Sequence, residues 1–155
     1  MTRPVLVIGI GNPDRGDDAV GVHIARQVAA ERLDILALEF DDPSEVLDAW
    51  TADDTVVLAD AISSGGRPGD IHVVDVREQR LPAGKWSAGG THELGLAAVV
   101  ELARSLDLLP RKLMVVGVEA ARFDHGSAMS EEVEAAVPAA AVKVLAMIDN
   151  GDEVH

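Results

Sequence analysis

Acids crowd the turn that follows the first apolar run. The segment GIGNPDRGDDAVG (9–21) opens like a dinucleotide-binding turn, with glycines at 9 and 11, but its third glycine position is Asp14. Asp14, Asp17 and Asp18 then gather where a pyrophosphate would need hydrogen-bond donors. Uncompensated carboxylates repel an anion there and suit a cation. Asp18 alone has an ordinary explanation, because acids in a first helical turn complement the helix macrodipole without any ligand. Asp60 is harder to explain that way. It lies in the apolar run VVLADAI (56–62), where a carboxylate is desolvated at a cost unless something pairs with it. His92 follows Gly89, Gly90 and Thr91 and precedes ELGLAAVVELA (93–103), which places it at a helix N-terminus. The dipole there favours the neutral, metal-binding imidazole over imidazolium.

One nitrogen with two carboxylates suits a borderline divalent ion such as nickel or zinc, bound with open positions, rather than calcium or a closed structural site. The remaining histidines read as ordinary: His72 on a strand edge, His125 in a loop, His155 at the terminus and His23 partly exposed on a helix. His125, in FDHGSAMS (123–130), lines the same crevice only if the preceding strand ends beside it. Ser63 and Ser64 stand beside a strand end without a Gly-x-Ser-x-Gly frame, so serine-hydrolase chemistry has no support.

Composition narrows the choices further. The chain has no cysteine, which excludes disulfides, thiolate metal sites and cysteine nucleophiles and leaves His, Asp and Glu to hold any metal. Twenty-seven acids against 13 bases give a net charge of -14, which repels phosphate backbones and argues against a nucleic-acid partner. The acid excess otherwise reads as solvated surface. MTRPVLVIGIG (1–11) passes directly into a strand-like run with no secretory h-region, and no apolar stretch is long enough to span a bilayer. The expectation is a cytoplasmic protein without a membrane partner. With 155 residues and 48% hydrophobic content, one domain spanning 1–155 can bury a proper core.

The elements that must position these residues alternate. PVLVIGI (4–10) predicts a strand, 17–31 a helix, DILALEF (34–40) a strand, PSEVLDAW (43–50) a short helix and DTVVLADAI (54–62) a strand. The turn SSGGRPG (63–69) leads to DIHVVDV (70–76), then an irregular stretch over 77–90, a helix over 91–106, the strand KLMVVGVE (112–119) and a last helix from Ser130, its expected N-cap. Apolar runs without alternation predict a sheet covered on both faces, hence a three-layer α/β/α fold with a mixed, mostly parallel five-stranded sheet of the phosphorylase/hydrolase-like kind. The link before 70–76 is too short for a parallel crossover, so that strand is expected to be an antiparallel edge. If strand 1 lies next to strand 3, Asp18 and Asp60 meet at the switch-point crevice.

Taken in order, GIGNPDRGDDAVGV, VVLADAI, PGDIHVVDV, THELGLAAVVELA and KLMVVGVE resemble the hydrogenase maturation protease family over about 4–148. The resemblance implies an endopeptidase that removes a short C-terminal extension from the large-subunit precursor of a nickel-iron hydrogenase after the metal has been inserted. It maps the family's metal contacts, taken also as the catalytic set, onto Asp18, Asp60 and His92. Several relatives carry Glu at the first position, so Asp18 is a shorter ligand here, and Asp17 remains an alternative ligand and a candidate general base. Nickel is expected on the client, with zinc or cadmium able to replace it in a crystal, and the enzyme is expected to be a monomer. Where many relatives carry Asp-Gly-Gly after the second strand, this chain reads EFDDPSEVLDAW (39–50), so Asp41 or Asp42 stands in for that acid and a divergent client becomes plausible.

Two other functions fit the same fold: a non-catalytic module that checks nickel loading, and a nucleotide-binding module. The acids of the first turn predict no measurable affinity for NAD or ATP in isothermal titration calorimetry. Saturable micromolar binding of either would restore the nucleotide reading.

Overall fold

Valine, isoleucine and leucine dominate the runs that pair as strands, and the two periodicities of strand and helix sort them onto the two faces of one sheet. The computed structural model describes residues 3–82 and 95–153. The strands are β1 (Val5–Ile10), β2 (Ile35–Phe40), β3 (Thr55–Ile62), β4 (Ile71–Asp75) and β5 (Lys112–Glu119); the helices are α1 (Val20–Glu31), α2 (Leu96–Ser105) and α3 (Glu131–Glu153). The sheet order is β2-β1-β3-β5-β4, parallel except for β4, which runs antiparallel to β5. The link between β3 and β4 is indeed too short to carry the chain back for a parallel pairing.

Leu6, Ile8 and Leu58 point to the α2 face and pack with Leu96, Val99 and Val100. Val7, Val57, Ala59 and Val116 point to the other face and pack with Ile24 and Val28 of α1 and Val137 and Val144 of α3. The expected three-layer α/β/α arrangement with a mixed, mostly parallel sheet is therefore what the chain forms. Among the described residues no helix is long and apolar enough to cross a membrane.

Two local readings differ from expectation. The helix expected from Asp17 starts only at Val20, and Gly16–Ala19 form a 3-10 turn that carries both acids. The N–H groups of Gly16 and Asp17 donate across to Ser127 O (3.1 Å) and Arg122 O (2.9 Å), so the chain enters the helix from a docked loop. The segment Pro43–Asp48 is likewise 3-10 rather than α-helical, and Asp42 caps it by accepting from Ser44 N, with Glu45 completing a capping box.

The feature that matters most for the site is how closely α1 lies on the sheet. A Cβ on Gly21 would fall inside contact with the carbonyl oxygen of Ala59 and 2.7 Å from that of Ile10, and one on Gly9 would lie 2.8 Å from the Cα of Val22. Only glycine lets the start of α1 rest against the carboxyl ends of β1 and β3. Gly21→Ala is expected to lower unfolding free energy in urea by roughly 1–3 kcal/mol or more, as overpacking does in a dense core. A loss below about 0.5 kcal/mol, the range of an ordinary surface change, would contradict this close approach.

Candidate active site at the carboxyl edge of the sheet

From β1 the chain crosses to β2 on one side, and β3 lies on the other, so a crevice opens outside their carboxyl ends. Asp18 sits in the turn that follows β1, and Asp60 lies on β3. Asp60 shares a face with Leu58 and Ile62, which pack with α2. Both acids are buried, at 2% and 4% exposure. Asp18 Oδ2 accepts the N–H of Asn12 at 2.9 Å, with Arg15 Nη1 at 3.8 Å. Asp60 Oδ1 accepts the N–H of its own neighbour Ala61 at 2.8 Å. Burial, and after it the charge of Asp18, push the Asp60 carboxyl well above the ordinary carboxylate range, against the opposing pull of the Ala61 N–H. The two acids therefore feel one another across the crevice.

The third expected member, His92, lies outside the described residues. Its neighbour helix α2 packs on the same face of the sheet as Asp60. Arg104, near the end of α2, donates to Val76 O at 3.0 Å beside the start of β5, so the beginning of α2 is directed toward the carboxyl edge. Among the described residues no group of three His, Asp or Glu side chains is arranged to hold a metal.

Asp17, the alternative ligand and candidate base, is occupied otherwise. Its Oδ2 accepts from the N–H of Ala121 (2.7 Å) and Arg122 (3.0 Å), its Oδ1 from the N–H of Ser130 (2.7 Å), and both oxygens from the Ser130 hydroxyl. Ser130 does precede α3 as expected, its carbonyl accepting from Glu134 N, but its hydroxyl serves Asp17. Asp14 is exposed, so the three acids of the first turn do not share one place. His125 is exposed in the connection between β5 and α3, and His23 is partly buried on α1. Asp42 is committed to its cap.

Sequence reasoning missed Glu119. It ends β5 on the face of Val115 and is 1% exposed. It accepts from the N–H (3.2 Å) and the hydroxyl of Ser64, with His72 Nε2 at 3.5 Å. The signal was the one that singled out Asp60, an acid in an apolar strand. Ser64 is thus a partner of Glu119. Buried acids elsewhere are similarly well served: Asp54 accepts from Arg3 Nε and Thr51 N, both at 2.7 Å. Among the described residues Asp60 stands apart, with one backbone N–H as its partner and a second buried carboxylate for a neighbour.

Comparison with known proteins identifies the family. A family model described as "Hydrogenase maturation protease" matches residues 42–147. The hydrogenase 2 maturation protease of Escherichia coli (strain K12) is 33% identical, the match covering 93% of this chain and 90% of that protein. The chain belongs to the hydrogenase maturation protease family. It is accordingly a peptidase, and the family's fold is also its own. The hydrogenase maturating endopeptidase HybD from E. coli superposes with a TM-score of 0.78 at 28% identity, covering 96% of this chain and 93% of that one. The [NiFe] hydrogenase maturation protease HybD from Thermococcus kodakarensis gives 0.72 at 25% identity, covering 93% and 98%.

A buried acid whose folded-state pKa is raised binds more protons in the folded than in the unfolded chain between the two pKa values, so its contribution to stability falls as pH rises through that window. Metal-free Asp60→Asn protein should therefore be more stable than the wild type at pH 7, with the gain shrinking as pH approaches about 4, the ordinary carboxylate range. Urea unfolding across that range checks it. A variant less stable than wild type at neutral pH would show that Asp60 is a satisfied structural acid.

Proposed function

We propose that this maturation protease removes the C-terminal extension of a nickel-iron hydrogenase large-subunit precursor after nickel insertion, and that Asp18, Asp60 and His92 recognise the metal the precursor carries. The observation that carries the reading is the pair of buried, like-charged carboxylates at the switch point, of which Asp60 is the least compensated buried acid among the described residues. A divalent cation is the ligand that such a pair favours. The family and the E. coli hydrogenase 2 maturation protease support the substrate class.

In this reading nickel is part of the substrate rather than a resident cofactor. When bound, it would offset the negative charge of the two carboxylates and serve as the element by which the precursor is recognised. Asp18 and Asp60 supply oxygen ligands, each oriented by a backbone N–H, and His92 supplies a neutral nitrogen. Asp17 holds no free role as a base, since its oxygens are engaged by five donor contacts. The enzyme is taken to act as a monomer in the cytoplasm.

The test is incubation of the enzyme with nickel-loaded and with apo precursor, followed by mass measurement of the precursor. Loaded precursor should lose its extension and apo precursor should survive. His92→Ala and Asp60→Asn should each reduce cleavage roughly a hundredfold or more, while His125→Ala should have little effect. Equal cleavage of both precursors, or full activity in His92→Ala, would rule out metal recognition through these residues.

A further inference from the structure

Asp17 and Asp18 are adjacent buried acids with opposite surroundings. Asp18 faces the crevice shared with Asp60, whereas Asp17 is turned toward the loop between β5 and α3. There its carboxylate bridges the chain just after β5, through the N–H groups of Ala121 and Arg122, and the start of α3, through Ser130 N and Oγ. The same loop is tied again by Gly16 N to Ser127 O (3.1 Å), Asp17 N to Arg122 O (2.9 Å) and Gly126 N to Asp14 O (2.7 Å). Gly16 makes the docking possible: its φ is +54°, and a Cβ there would meet Ser127 Oγ at 2.6 Å and Arg122 O at 2.9 Å. β5 is hydrogen-bonded to β3 throughout, with Asp60 paired to Gly117. The chain of contacts therefore runs from Asp17 through the end of β5 to the strand that carries Asp60.

We propose that Asp17 is a positioning residue for metal recognition: its carboxylate locks the turn bearing Asp18 to the end of β5, and so fixes Asp18 relative to Asp60. The proposal rests on the reading of Asp18 and Asp60 as contacts to the precursor's nickel. Hydrogen bonds to an ionised acceptor are the strong ones, and every partner of this carboxylate is a donor. In Asp17→Asn one side of the group becomes an amide that faces donors, which releases half of the lock while keeping its shape. The turn is then free to shift by a fraction of an ångström to an ångström, a displacement that matters for a ligand held in fixed geometry.

The experiment measures KM and kcat for nickel-loaded precursor with wild type, Asp17→Asn, Ser130→Ala and Val144→Ala. The last truncates a fully buried side chain of α3 in the core below the sheet and serves as a control for lost stability. KM does not depend on the fraction of enzyme that is folded, whereas apparent kcat does, so a purely structural loss lowers kcat at constant KM. Asp17→Asn should raise KM roughly tenfold or more and Ser130→Ala roughly threefold, with Val144→Ala within about twofold of wild type. Wild-type KM in folded Asp17→Asn would overturn the proposal; should that variant not fold, wild-type KM in Ser130→Ala would do so. Wild-type enzyme that cuts apo and loaded precursor equally would instead remove the metal reading, and the proposal with it, a failure visible before any variant is compared.

Discussion

Two acids, both buried, lie near one another at the carboxyl edge of the sheet, and having both ionised there is unfavourable in itself. Burial penalises the Asp60 charge, and the charge of Asp18 adds to the cost of ionising it. The fold has to impose their proximity. Parallel pairing of β1 with β3 brings the two strand ends together, and the glycines at 9 and 21 let α1 start hard against them. Backbone N–H groups, from Asn12 and Ala61, help orient the two side chains, and the Arg15 guanidinium lies 3.8 Å from Asp18 Oδ2. Asp17 then ties the turn to the far side of the sheet's edge.

The treatment of the other buried acids shows that this is selective. Asp17, Asp54 and Glu119 each have several donors converging on them: backbone N–H groups and a hydroxyl for the first, an arginine and a threonine for the second, the N–H and the hydroxyl of Ser64 for the third. Glu119 lies on β5 two residues beyond the partner of Asp60, and the link before β4 folds over it closely enough that a Cβ on Gly66 would touch its carboxylate at 3.0 Å. Two acids at neighbouring strand ends thus have opposite characters. One is covered and satisfied, and the other is left for something that carries positive charge.

Strands and layers were legible in the sequence because their signal is local and repeated. Runs such as VVLADAI and KLMVVGVE carry no alternation, and only a sheet covered on both faces accommodates them. The antiparallel β4 followed from the length of a single link. Asp60 was legible for the same reason, as a charge in an apolar run. What was not legible depends on contacts between distant residues. The division of labour between Asp17 and Asp18 is decided by Ala121, Arg122 and Ser130, more than a hundred positions away. The docking of the 3-10 turn before α1 is equally remote in sequence, with Gly16 and Asp17 donating to Ser127 and Arg122. Of Asp41 and Asp42, the two acids that could replace a lost functional acid, Asp42 caps the following turn with Ser44 and Glu45.

The account's central claim is that the precursor's nickel gains ligands from this crevice when the two proteins meet. X-ray absorption at the nickel edge of a loaded precursor with a blocked cleavage site, alone and then with a molar excess of the enzyme, reads that directly. The account predicts additional oxygen and nitrogen ligands on nickel in the mixture, lost again when Asp60→Asn or His92→Ala enzyme is used. A nickel coordination shell unchanged by wild-type enzyme, under conditions where the complex is shown to form, would contradict it.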